Sequence, residues 1–341
     1  MKTLPRIGIV LVSYGHEDSI LEIVKKLSLQ MHDDDKIAVV DNKPDNNLRK
    51  IISKKVDYFN ELNNPGFAAG CNHGARAIQD QVDILFFINP DTFPSNNVLD
   101  VVRSEFNKGY AAWMPLLELP DGKVNSAGNV VHISGLSWCS GYLEEKKLHR
   151  DHKEIHDISG ACMAIDVKWW IKLDGISEDY FLYYEDTDIS SRIRLMGGKL
   201  SLVPDASVIH DYEYSKGDYK WFYIERNKYI FMLRNWPTSV LVVLFPLLLI
   251  CEIGLLGVAL LDKRLTLKLK STFSFVKLLP KILISRKKVQ ATRTISSYEY
   301  MKNLVYELDT PLFGPLLRNK LSKYFFGTYY KIALFLLKPR A

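Results

Sequence analysis

The chain is poor in the features that would make it a redox, disulfide or zinc protein. Its 341 residues hold four cysteines, Cys71, Cys139, Cys162 and Cys251, and no two of them stand in a CxxC spacing. That excludes a zinc ribbon and a disulfide framework, and it fits a reducing compartment. There is no internal repeat and no low-complexity segment. Neither the GxGxxG fingerprint nor the P-loop pattern is present. No charged stretch leading into an apolar run precedes Ile7, and Ile7 to Val12 reads as a first strand rather than a signal peptide, so the amino-terminal part is expected in the cytosol.

What is present is enough for one large core and an appended region: 47% hydrophobic and 25% charged residues. The net charge of +6 conceals an asymmetry. Residues 262–341 carry 17 Lys or Arg against 4 Asp or Glu, a net +13 that leaves −7 for the first 261. A basic tail suits nucleic acid or an anionic membrane, and the apolar content of this one points to membrane, not nucleic acid.

The first 110 residues alternate strand-like and helix-like runs, from RIGIVLVSY and SILEIVKKLSLQ to DILFFINPD and NVLDVVRSEFN. That rhythm predicts an α/β fold with a mostly parallel sheet flanked by helices and a Rossmann-like nucleotide-binding half. Residues 117–150 lose it and are expected to form hairpins or loops. Further strands are expected in IHDISGACMAID, KLSLVP and ASVIHD, and a helix from about Asp218 to Asn235, ended by Pro237.

Ser239 to Leu261 has 23 residues with one charge, Glu252, and one proline, Pro246. It is long enough to cross a bilayer, and a core helix is rarely apolar on every face. Membrane insertion is the expectation, with a re-entrant hairpin at Pro246 and Glu252 as its alternative. Nine basic residues between Lys263 and Lys288 then alternate with Leu, Phe and Ile, which suits an anionic leaflet. The expected domains are 1–236, catalytic, and 237–341, helical and membrane-associating, made of the apolar segment 239–261, a basic amphipathic segment 262–290 and C-terminal helices.

Two acidic stretches carry the chemistry. Asn89-Pro90-Asp91 closes the strand ILFFI, leaving Asp91 at the carboxyl edge where open α/β sheets bind ligands. A carboxylate there suits Mg2+ or Mn2+ bridging diphosphate oxygens. Glu185-Asp186-Thr187-Asp188 opens a helix running through Met196, and Asp186 is the candidate general base, since neighbouring carboxylates and burial raise its pKa. Capping and an Asp188–Arg192 ion pair at i,i+4 are the structural reading of the same helix start. Asp41-Asn42 ends another strand. Asn64 to Asn72 is a glycine-containing turn into a helix, where a bare backbone lets a nucleotide approach. His210 closes ASVIH on the same edge and is a second metal candidate. Arg192 and Arg226 are candidates for phosphate.

In order, VSY, VVDN, NPGFAAGCN, INPD, SGACM, FLYYEDTDISSRIRLMGG and VIH resemble family 2 glycosyltransferases of the GT-A fold, in particular the rhamnosyltransferase-like branch that builds bacterial surface polysaccharides. The resemblance covers about residues 5–235. It implies an inverting, metal-dependent enzyme at the cytoplasmic face of the membrane, taking a nucleotide diphospho-sugar, for the branch dTDP-L-rhamnose, to a lipid-linked glycan acceptor. It implies that Ser13, Tyr14, Asp41, Asn42, Gly66, Gly70, Asn72 and Asn89 line the donor, with Asp41 on the nucleobase. Asp91 would bind the metal, and Asp186 would be the base. The usual Asp-x-Asp metal motif stands here as Asn89-Pro90-Asp91, which leaves one carboxylate. A nucleotidyltransferase uses the same strand-end carboxylates but needs neither the acidic helix nor the tail. A non-catalytic membrane scaffold is the third reading.

Overall fold

The computed structural model describes residues 4–44, 47–212, 217–314 and 317–339. The Rossmann-like half opens with β1 (Ile7–Ser13), α1 (Glu17–Ser28), β2 (Lys36–Asp41), α2 (Asn47–Ile52), β3 (Tyr58–Glu61), α3 (Phe67–Ile78) and β4 (Ile84–Ile88). β1 and β4 are buried at every position, the continuous apolar pattern of strands covered on both faces. α1 buries Ile20, Ile23, Val24 and Leu27, one stripe at helical spacing. α3 carries glycine toward β1: a Cβ on Gly70 would stand 2.7 Å from Val12 Cγ1, so the helix lies closer to the strand than any larger residue permits.

There follow β5 (Thr92–Pro94), α4 (Val98–Glu105), β6 (Ala112–Glu118), β7 (Val124–Ser126), β8 (Asn129–Val131), β9 (Ser137–Cys139), β10 (Lys153–Ile155), β11 (Cys162–Asp166), α5 (Val167–Leu173), α6 (Glu185–Leu195) and β12 (Leu200–His210). The main sheet runs β10-β12-β6-β11-β4-β1-β2-β3, with β5 on β12 and β7 on β6. The pairs β3-β2, β2-β1, β1-β4 and β6-β12 are parallel, and β11 is antiparallel to both β4 and β6. Two antiparallel steps restore direction, so β1, β2, β4, β6 and β12 all point their carboxyl ends to one edge. The expected mostly parallel α/β sheet is therefore present. KLSLVP and ASVIHD, read as two strands, are one: β12 follows β6 past a register shift between Val203 and Ser207. Below the sheet, Asp35 is buried against Arg103 at 2.8 Å. Burial alone would raise its pKa, but Arg103 and the amides of Ile7 and His32 hold it below the usual range.

The remaining helices are α7 (Gly217–Asn235), α8 (Thr238–Leu261), α9 (Leu265–Ala291), α10 (Ser297–Lys302) and α11 (Lys320–Leu337). The chain forms two compact units, Met1–Asn129 with Cys139–Ile193 and Gly198–Glu213, and Val130–Trp138 with Arg194–Gly197 and Tyr214–Ala341. α7, grouped by the sequence with the first 236 residues, packs along α9 and so lies in the second unit. Its Glu225 pairs with Lys268 of α9, while Arg286 of α9 donates to the carbonyl of Trp236, just past the end of α7. The two helices therefore run parallel, and α8 returns between their ends. α8 continues unbroken through Pro246, without the hairpin offered as an alternative.

Candidate active site

The ends of β1 and β2 lie side by side, with Ser13 opposite Asp41. The Asn42 amide donates to the Ser13 carbonyl at 2.9 Å, and its side-chain Nδ2 donates to the Gly66 carbonyl at 3.0 Å. This ties the second strand to the turn before α3. Asp41 is buried and accepts from the Lys43 amide at 2.9 Å. Tyr14 is half exposed, with the Lys43 ammonium 5.7 Å from its ring centre. Ser13 Oγ, Asn42 Oδ1 and Asn89 Oδ1 are buried without a hydrogen-bond partner. Buried polar atoms are rarely left so, and three at the ends of adjacent strands mark a place built to receive a polar ligand.

Gly66 adopts φ 105°, and a Cβ there would lie 2.7 Å from the carbonyl oxygen of Phe181. Only glycine satisfies both conditions. The Phe67 amide donates to that same oxygen at 2.8 Å. Phe181 itself has φ 64° and ψ −57°, with the Leu182 amide donating to the Tyr180 carbonyl, a strained γ-turn. Tyr183 and Tyr184 also have positive φ, at 67° and 70°. Three bulky residues in the left-handed region, immediately before α6, store strain at the entrance to the acidic helix.

Asp186 is the focus of that helix start. Its Oδ2 accepts from the Gly160 amide at 2.9 Å and from Asn129 Nδ2 at 3.4 Å, and its Oδ1 accepts from the Thr187 amide at 2.7 Å. The residue after Gly160, Ala161, accepts from the Asn89 amide at 2.9 Å. Asp186 is thereby pinned beside the strand end that carries Asp91. Burial raises its pKa against the opposing pull of the Gly160 and Thr187 amides. Glu185 is raised too, first by burial and then by the charges of Asp186 and Asp188. Asp188 is structural: fully buried, it accepts from Tyr180 Oη at 2.9 Å and Arg192 Nε at 2.7 Å.

On the same edge, His210 Nε2 stands 3.5 Å from Asp91 Oδ1. His210 Nδ1 donates to Asn125 Oδ1 at 3.0 Å, which fixes the ring with Nε2 on the Asp91 side. Nε2 is buried and has no hydrogen-bond partner. One imidazole nitrogen and one carboxylate oxygen fit a divalent ion that draws its other ligands from substrate and water. Among the described residues no group of three or more His, Cys, Asp or Glu is placed to hold a metal.

Two expected donor contacts, Arg192 and Asn72, are engaged within the protein. Arg192 donates from Nη1 to the Leu173 carbonyl at 2.7 Å and from Nη2 to the Gly175 carbonyl at 2.8 Å, so with Asp188 on Nε its guanidinium is spent inside the protein. Asn72 is likewise engaged, accepting from the Ile176 amide at 2.9 Å and donating to its carbonyl at 2.8 Å. Gly70 serves the packing of α3 on β1. Arg226 belongs to the second unit, where it lies over the ring of Tyr223 at 4.8 Å. Sequence reasoning missed Asn125, Asn129 and the role of Gly160. Asn129 sits in one of the turn signals, Gly128-Asn129, and Gly160 in SGACM, but neither pattern names a partner.

The family described as Glycosyl transferase family 2 matches residues 8–173. The chain is 28% identical over 222 residues to Rhamnosyltransferase WbbL of Escherichia coli (strain K12), which covers 59% of this chain and 82% of that one. It is 30% identical over 151 residues to the N-acetylglucosaminyl-diphospho-decaprenol L-rhamnosyltransferase of Mycobacterium tuberculosis (strain ATCC 25618 / H37Rv), covering 40% of this chain and about half, 49%, of that relative. A crystal structure of GalNAc-T7 with UDP, GalNAc and Mn2+ superposes with a TM-score of 0.56 at 14% identity, over 72% of this chain and 50% of that one, a likeness of fold.

Proposed function

From a chain that carries a glycosyltransferase family 2 domain and resembles its rhamnosyltransferases, we propose an inverting transfer of a sugar, L-rhamnose first among the candidates, from a nucleotide diphospho-sugar to a hydroxyl of a lipid-linked glycan in surface-polysaccharide synthesis. The observation that carries the reading is the Asp186 carboxyl, held by the Gly160 amide beside the strand end of Asn89 and Asp91.

In this reading Asp186 is the general base. Its pKa lies above the ordinary aspartate value because burial disfavours the anion, and a stronger base removes the acceptor proton more effectively. The Gly160 and Thr187 amides keep it ionisable and aim it. The acceptor oxygen attacks the anomeric carbon from the face opposite the diphosphate, and a single displacement inverts the centre. The nucleoside lies across the ends of β1 and β2: Tyr14 offers a face for stacking, Asp41 a carboxylate for base edges, and Ser13 and Asn42 their unsatisfied oxygens. Asp91 and His210 would hold Mg2+ or Mn2+, which when bound neutralises charge on the departing diphosphate.

The basic, apolar tail supports a reaction at the cytoplasmic face of a membrane, on a lipid-linked acceptor. α8 supports this: it has 24 residues, and its most apolar window has mean hydropathy 2.6 with 17% buried. A donor screen against a polyprenyl-linked acceptor extract, following which nucleoside diphosphate is released, tests the reading. Release of pyrophosphate, with nucleotide-sugar formed, would replace it by nucleotidyl transfer, and no turnover with any donor would leave the scaffold.

A further inference from the structure

α8 has the composition for a bilayer crossing, yet its ion pairs with neighbouring helices make one costly. Glu252, in the second half of the helix, pairs with Lys228 of α7 at 3.5 Å and with Lys268 of α9, and both lysines are buried. At the end of α8, Arg264 meets Asp218 of α7 at 3.8 Å, and at its start Thr238 accepts from Arg286 of α9 at 2.9 Å. Glu252 therefore ties the second half of α8 to α7 and α9 through buried ion pairs, and Thr238 ties its start to α9. Passing it through hydrocarbon would carry those charged helices with it, and charged side chains are costly there.

The same packing divides α8 into two faces. Val240, Leu244, Leu247 and Ala259 turn inward. Val242, Phe245, Leu249, Ile253, Leu256 and Leu260 recur every three or four residues and are exposed, giving an apolar stripe along the helix opposite its inward face. A stripe of this length, rather than a cap at one end, matches an interface met side-on. The chain around it is strongly cationic, with net +13 over residues 262–341, which complements an anionic lipid surface.

We infer that α8 lies in the plane of an anionic bilayer, its stripe sunk among the headgroups and acyl chains, and that the protein is monotopic with both ends of the helix on one side. The inference rests on the membrane reading above and replaces a spanning or re-entrant segment by a surface-embedded one. The test uses the full chain in membranes of expressing cells, with Cys139→Ser and Cys251→Ser as background and single probes Lys263→Cys and Lys302→Cys near opposite ends of α8. An impermeant maleimide should label both probes equally in the same vesicle orientation, without detergent. Labelling of one probe only after permeabilisation overturns the in-plane arrangement while keeping membrane binding. A full chain found in the supernatant, as monomer or dimer, overturns the membrane reading itself. Changing Phe245, Leu249 and Ile253 together to Ser should lower the bound-to-free ratio on phosphatidylglycerol vesicles roughly tenfold or more. Unchanged binding would show that charge alone holds the protein and would overturn the embedded stripe.

Discussion

Gly66 and Phe181 stand 115 positions apart in the chain, and the space a Cβ on Gly66 would need is filled by the Phe181 carbonyl oxygen at 2.7 Å. The glycine turn before α3 and the strained turn before α6 are thus one construction. The first holds Asn42 at the end of β2 and the second leads into the helix start that carries Asp186. Gly66→Ala should destabilise the first unit by about 1–3 kcal/mol, since it adds both a backbone clash and a side chain at φ 105°. Urea denaturation measures it, and an unchanged midpoint would show that the two turns are not coupled.

Asp186→Asn should retain fold and nucleoside diphosphate affinity while lowering turnover by roughly 10²-fold or more, the scale of a lost general base. Steady-state transfer assays with calorimetry of the product nucleotide separate the two. Near-normal transfer would reassign the base.

Asp91→Ala and His210→Ala should each reduce the enhancement of nucleoside diphosphate binding by Mn2+, because each removes one of two protein donors. Binding titrations with and without the metal report it independently of turnover. Full enhancement in both variants would remove the metal assignment from this edge.

Glu185→Gln tests the electrostatics of the acidic helix through pH. In the folded protein Glu185 is raised above its ordinary value of 4.5 by burial and by Asp186 and Asp188. A raised carboxyl contributes stability that is fully present below the unfolded value and is lost as pH rises through the folded one. The parent should therefore lose stability from about pH 4.5 upward relative to the variant. The melting temperatures should converge in acid and separate in favour of Gln toward alkaline pH. Parallel curves would contradict the raised pKa.

Much of this protein is legible in its sequence alone. The apolar runs of β1, β2 and β4, their carboxyl-terminal Ser13, Asp41 and Asn89, and the acidic opening of α6 follow from local pattern, because periodicity reports burial and strand ends report the ligand edge. Asp188 and Arg192 at i,i+4 were readable as a pair for the same reason. What the local pattern does not hold is how distant donors and acceptors are shared out. Arg192 reads as a phosphate ligand until the carbonyls of Leu173 and Gly175 take its remaining donors, and Asn72 until Ile176 does. The Gly160 amide finds Asp186 only because β11 runs antiparallel to β4. Likewise α8 has the length and composition to cross a bilayer, and only the tertiary structure brings Lys228 and Lys268 to its Glu252. Hydrophobicity is a property of each residue and is carried by the sequence, whereas the partner of a buried polar group is chosen by topology.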